Sequence, residues 1–179
     1  MAAETMTDPE KVAEQILSAF SSVQYPGDLC LRRSNEGDEP FLLEDEFKGK
    51  SDWRILDPEF LDQAPDGFST ALSFFSDEAF HFYLPAYLLA DVRGKLQRTT
   101  PVFYLTHGFD DSSRSQLVNP LRYGETTWFD EASKRFAGFS RLEARAIVAY
   151  LLFKRQADDA WERDDIDESL KNYWNEKAA

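Results

Sequence analysis

Two histidines and a single cysteine restrict where this chain of 179 residues can do acid–base, nucleophilic or metal chemistry. The densest grouping is His107-Gly108-Phe109-Asp110-Asp111, one imidazole and two carboxylates within five residues. An imidazole with nearby carboxylates can ligate zinc or another divalent ion, or a carboxylate can orient the ring as a general base. His107, Asp110 and Asp111 are therefore the candidate metal ligands, although their spacing matches no strong metal motif. The same residues also read as a turn, in which Asp110 and Asp111 accept backbone N–H groups and Gly108 supplies its flexible backbone angle. Both readings stand at this level.

A second candidate is His81, one helical turn after Asp77, whose carboxylate is placed to hold the imidazole. Pro85 follows at i+4 and would leave the His81 carbonyl without its helical donor, at a cost of roughly 3 kcal/mol. A polar pocket shared by His81, Tyr83, Tyr87 and Asp91 is weakened by helix geometry, because positions 81 and 83 point to different faces. The surrounding Phe80, Phe82, Tyr83, Leu84, Tyr87, Leu88 and Leu89 make the segment apolar nearly all round, which is the pattern of a helix enclosed by protein. Pro85 thus reads as a bend in a central core helix.

Other chemistry has little support. Cys30 has neither a helix start nor a histidine beside it, and there is no G-x-S-x-G nucleophile elbow. Neither G-x-G-x-x-G nor G-x-x-x-x-G-K-[ST] occurs. No catalytic residue and no cofactor is implied.

The elements that must position these groups are mostly helical. Thr7-Asp8-Pro9-Glu10 is a cap followed by a proline suited to a first helical turn, and Val12, Ile16, Leu17 and Phe20 recur at helical spacing. Asp57-Pro58-Glu59 repeats that signature and predicts about two turns, stopped by Pro65-Asp66-Gly67. Ser76 caps the central helix, expected over residues 77–94 with Gly94 at its end. Thr127 opens another helix. Ser140-Arg141-Leu142-Glu143 is a capping box ahead of an apolar stripe, predicting a helix to about Gln156.

Three stretches read differently. Leu29-Cys30-Leu31 is a candidate short strand, and Thr99–Phe109 is the best strand candidate because T-T-P-V-F-Y-L-T is rich in β-branched and aromatic residues. Its Pro101 would demote it to an edge. Ser34–Lys50 reads as an acidic loop pinned by Phe41-Leu42-Leu43, and Asp110–Thr127 as a surface loop. The expected fold is mainly α, a single domain over residues 1–179 with minor extended pieces, its helices packed around the kinked segment 77–94.

Trp53, Leu56-Asp57-Pro58-Glu59-Phe60-Leu61, the S-D-E-A-F-H-F-Y-L-P-A-Y-L-L-A-D-V run and Leu105-Thr106-His107-Gly108 together resemble a bacterial family of uncharacterised proteins. The resemblance covers about Trp53 to Phe153, leaving the first fifty residues and the acidic end outside it. It brings no activity or site, and it implies that Pro85 belongs to the pattern of the fold.

Charge gives the best indication of partner class. The chain carries 33 acidic against 20 basic side chains, a net charge of −13. Nucleic acid and anionic membranes are repelled within the roughly 8 Å screening length of physiological salt, whereas a basic protein is attracted. Two acidic stretches stand out, Glu36–Glu46 and Asp158–Glu168, the second with seven acids against Arg163 alone. Asp158, Asp159, Glu162, Asp164 and Asp165 with Trp161 form a candidate partner-binding face, since charge steers association and aromatic residues carry contact energy. Ile166, Leu170, Tyr173 and Trp174 at helical spacing predict that this end is a docked helix.

The longest apolar run, Phe82–Ala90, falls far short of the roughly 20 residues a bilayer requires. The opening residues lack a leader pattern and the lone cysteine suits a reducing compartment, so the expectation is a cytoplasmic protein of open oligomeric state. The leading expectation is a non-enzymatic, protein-binding protein, in one version an immunity-like neutraliser of a basic toxin or nuclease. The alternative is a hydrolase or metal-binding protein built on the His107 cluster.

Overall fold

The computed structural model describes residues 7–63, 71–156 and 162–179. It is mainly α-helical, and among the described residues extended pairing is confined to two isolated bridges, Arg32 with Phe75 and Leu117 with Thr127. The chain forms two compact units, one of Ile16–Pro101 and one of Met1–Gln15 with Val102–Ala179.

The Ile16–Pro101 unit contains the end of α1 (Pro9–Ala19), then α2 (Glu39–Phe47), α3 (Pro58–Gln63) and α4 (Asp77–Val92). The Ser76 hydroxyl caps α4 by accepting the Ala79 N–H at 3.0 Å, as its sequence signature predicts. Twelve residues of α4 are buried, from Ala79 to Val92. The helix continues through Pro85, whose ring is itself buried. The proline penalty of about 3 kcal/mol is small against the several large side chains that the helix buries at roughly 1.5–3 kcal/mol each. Tyr83 is the hub of this core: its ring stacks on Phe75 at 4.9 Å, meets the edge of Phe47 at 4.8 Å, and its hydroxyl donates to the Lys50 carbonyl at 2.8 Å. At the far end Gly94 adopts φ +66°, and the Lys95 N–H reaches back to the Ala90 carbonyl at 2.8 Å. This is the glycine-dependent stop that Gly94 suggests.

Two expectations fail in this unit. Ser34–Lys50 is not simply a loop, because α2 runs through it with Pro40, Leu43 and Phe47 buried on one side. Pro40 lies in the first turn, where its missing N–H costs nothing. Leu29–Leu31 is not a strand. Asp28–Cys30 forms a turn of 3-10 helix that leaves Leu29 95% exposed, and pairing begins one residue beyond the segment, at Arg32. Pro65-Asp66-Gly67 and the extended reading of residues 68–70 lie outside the described residues.

The other unit holds α5 (Pro101–Thr106), whose first residue closes the preceding unit, then α6 (Pro120–Tyr123), α7 (Trp128–Phe136), α8 (Arg141–Arg155), α9 (Arg163–Ser169) and α10 (Asn175–Ala178). The strand expected over Thr99–Phe109 is corrected to the helix α5. Val102, Leu105 and Thr106 are buried while Phe103 is exposed, an i, i+3, i+4 pattern that belongs to a helix. Pro101, which demotes a strand, is the first helical residue, where its fixed φ is favourable. The surface stretch 110–127 also contains a short 3-10 turn, Asp111–Arg114, and the single turn of α6.

The capping box expected at Ser140 forms, and the helix that Thr127 opens begins with a second one. Thr127 and Asp130 exchange bonds at the start of α7, and Ser140 and Glu143 do so at the start of α8. Helix α8 then buries Ala144, Ala146, Ile147, Tyr150 and Leu151. The end of the chain is helical as expected, with Ile166, Leu170 and Trp174 buried. Between α9 and α10 the turns widen to a π-helix over Leu170–Trp174. No helix is long and apolar enough to cross a membrane among the described residues.

Candidate functional site

Residues 107–111, immediately after α5 and its last residue Thr106, carry the first candidate group. Thr106 returns its hydroxyl to the Val102 carbonyl at 3.0 Å, a local bond that satisfies a polar side chain in a buried position. His107 is exposed and stacks on Phe103, one turn earlier, with ring centroids 5.1 Å apart and planes 23° apart. The ring also meets Trp128 edge-on at 4.9 Å.

Gly108 makes this arrangement possible. It adopts φ +89°, and an added Cβ would lie 2.8 Å from the Ala132 Cβ and 2.9 Å from the Trp128 carbonyl oxygen. The chain therefore passes α7 at a distance no side chain allows.

Asp110 and Asp111 face different partners. The Asp110 carboxylate accepts the Ser112 N–H at 2.9 Å, the Ser113 N–H at 3.1 Å and both serine hydroxyls, closing the 3-10 turn that follows. Burial raises its pKa, but these four hydrogen bonds outweigh burial and hold the carboxyl below its ordinary value. Asp111 takes a hydrogen bond from Asn172 at 2.8 Å and pairs with Lys171 at 3.3 Å, contacts that likewise lower its pKa. The π-helix thus aims Lys171 and Asn172 at this turn, and Asn172 also donates to the Phe109 carbonyl at 2.8 Å. Among the described residues, no group of three or more His, Cys, Asp or Glu is placed to hold a metal ion.

Of the C-terminal acids, Asp158, Asp159 and Trp161 lie outside the described residues. Glu162 is half-buried at the start of α9, and Asp164 and Asp165 are exposed in its first turn. Trp174, a second aromatic of this region, is fully buried.

The other acidic stretch gives a better-formed surface. With Pro40, Leu43 and Phe47 turned inward, α2 presents Asp38, Phe41, Leu42, Asp45 and Glu46 to solvent. Phe41 is 44% and Leu42 45% exposed. The Arg32 guanidinium lies 4.3 Å from the Phe41 ring centre and binds the Glu44 carboxylate, the Asn35 side chain and the Ser34 carbonyl. Sequence reasoning noticed the acids here but missed the outward apolar pair. The available signal was the 40, 43, 47 spacing, which leaves 41 and 42 on the other side.

A further depression of about 480 Å³ lies between α3 and residues 95–98, lined by Asp57, Glu59, Asp62, Lys95 and Arg98 among others. Asp62 fixes its walls by accepting the backbone N–H groups of Gln97, Arg98 and Thr99 at 2.8–3.2 Å. Burial raises the Asp62 pKa, and these amides overcome that and lower it.

The chain matches the family model described as "Family of unknown function (DUF6714)" over residues 8–178, and it belongs to that family. The match includes the first helix and the acidic end that the initial resemblance left outside. No curated protein and no solved structure matches the chain.

Proposed function

We propose that this member of DUF6714 is a non-catalytic binding protein that docks a basic protein partner on the outward face of α2. The observation that carries the reading is the exposure of Phe41 and Leu42 at 44% and 45% between Asp38 on one side and Asp45 and Glu46 on the other. An apolar centre inside a charged rim is the make-up of a protein-binding surface, in which the apolar residues supply contact energy and the charges supply steering. The net charge of −13 acts in the same direction at longer range. An immunity-like role, neutralising a basic toxin or nuclease, is the specific version of this reading.

The experiment is affinity capture at about 50 and about 300 mM salt, chosen to span strong and weak screening, with the native chain beside a Phe41→Ser, Leu42→Ser, Asp45→Lys variant. A stoichiometric basic partner held by the native chain and lost by the variant supports the reading. Equal capture by both chains, or no basic partner at either salt, sinks it.

A further inference from the structure

The face of α2 already holds one guanidinium, and the way it does so indicates which basic side chain a partner would present. Arg32 covers one side of the Phe41 ring at 4.3 Å and is fixed there by Glu44, Asn35 and Ser34. Phe41 nonetheless keeps 44% of its surface in solvent. Asp38 lies three residues before it and Asp45 four residues after it, which places both carboxylates on the same helical face as the ring.

Asp38 has helical backbone angles and makes no capping bond with its side chain, so this carboxylate is not used by the helix end. Neither Asp38 nor Asp45 has an ion pair among the described residues. The ring and the two carboxylates therefore offer a flat π surface with an acceptor at each end.

We propose that this Asp38–Phe41–Asp45 stripe is an arginine-recognition site, which takes a guanidinium from a basic partner segment on the solvent side of the Phe41 ring. The inference rests on the reading of α2 as a docking face and names the partner's chemistry. Arginine fits where lysine does not. Its planar, weakly hydrated guanidinium stacks on an aromatic face while its N–H fork bonds carboxylates, whereas the ammonium of lysine is compact and strongly hydrated. Leu42, beside the stripe, then packs against an apolar residue next to that arginine. The result is a Phe41 ring held between two guanidinium groups, one from Arg32 and one from the partner.

The test uses the full chain and two capped, amphipathic helical peptides of equal length and charge, one with Leu and Arg at i, i+4 spacing and one with Lys replacing every Arg. Titration calorimetry is expected to show the Arg peptide binding about two- to fivefold tighter than the Lys peptide, the range a cation–π contact at a solvent-facing ring supports. Phe41→Leu, which keeps an apolar side chain at this half-exposed position, should bring the two affinities together. The paired Asp38→Asn, Asp45→Asn variant should weaken both peptides.

Equal binding of the two peptides overturns the arginine site. If that equal binding is lost with the aspartates, the acidic docking face survives and only the arginine preference falls. An Arg preference that persists in Phe41→Leu also overturns the inference, because the preference would then lie elsewhere. No binding of either peptide overturns it as well, and the docking face itself is then judged by the capture experiment with its α2 variant.

Discussion

The indole N–H of Trp174 donates to the carbonyl of Leu105 at 2.7 Å, across 69 residues of sequence. Leu105 lies in the last turn of α5, where carbonyls lose their helical partners, and the indole supplies one. The ring around that N–H is fully buried against Phe136 at 4.9 Å and Phe109 at 6.0 Å. One side chain thus closes a helix end and fills a core. The widened turns of Leu170–Trp174 are where Trp174 sits.

Trp174→Phe should cost about 1–3 kcal/mol of unfolding free energy, because it keeps an aromatic ring but leaves a buried carbonyl without a donor. Trp174→Ala should cost about 3–5 kcal/mol by adding a cavity. Urea unfolding measures both. A Phe variant as stable as the native chain would show that the hydrogen bond contributes nothing.

Gly108→Ala should destabilise by about 1–3 kcal/mol, since it forces a Cβ into a left-handed residue and against the Trp128 carbonyl. Gly94→Ala has the same backbone strain, at φ +66°, but no atom within 4 Å of the added Cβ, and should cost about 1 kcal/mol. Equal losses in thermal unfolding would mean that the close approach to α7 is not what requires Gly108.

Along α2, neighbouring leucines should behave oppositely. Leu43 is fully buried, so Leu43→Ala is expected to cost about 2–5 kcal/mol. Leu42→Gln should change stability by no more than about 0.5 kcal/mol, because the side chain is half in solvent. Chemical denaturation of the two variants decides the matter. A large loss at Leu42 would mean that this face supports the fold and is not free to bind.

Acid stability follows from the lowered carboxyls of Asp62 and Asp110. A folded-state pKa below the unfolded value of about 3.9 contributes stability that is present above that pH and lost as pH falls through the folded pKa. Stability from these groups should therefore be level from about pH 7 to 5 and decline below about pH 4. Asp62→Asn should lower stability at neutral pH and flatten the decline. Urea midpoints at stepped pH test this, and an unchanged slope in Asp62→Asn would remove Asp62 as a contributor.

What could be read directly were the features written within a few residues of each other. The helix start at Thr127, the capping box at Ser140, the proline at the start of α3 and the glycine stop at Gly94 are each set by local backbone chemistry, so the sequence alone determines them. The long apolar run of α4 belongs with these, because a helix without a polar face has to be enclosed. Composition also determined the net charge of −13.

Tertiary structure decided the rest. Residues 101–106 have strand-forming types, and only burial of Val102, Leu105 and Thr106 on one side makes them a helix. Phe41 and Leu42 are as apolar as Leu43, and what separates them is which side of α2 meets the core. His107, Asp110 and Asp111 are close in sequence, yet distant residues set the partners of His107 and Asp111: Trp128 for one, Lys171 and Asn172 for the other. Asp110 bonds its own neighbours, Ser112 and Ser113. Local propensity is worth at most about 1 kcal/mol per ordinary residue, whereas burying one large side chain is worth roughly 1.5–3 kcal/mol. Where the two disagree, packing decides both the element and the direction in which its side chains point.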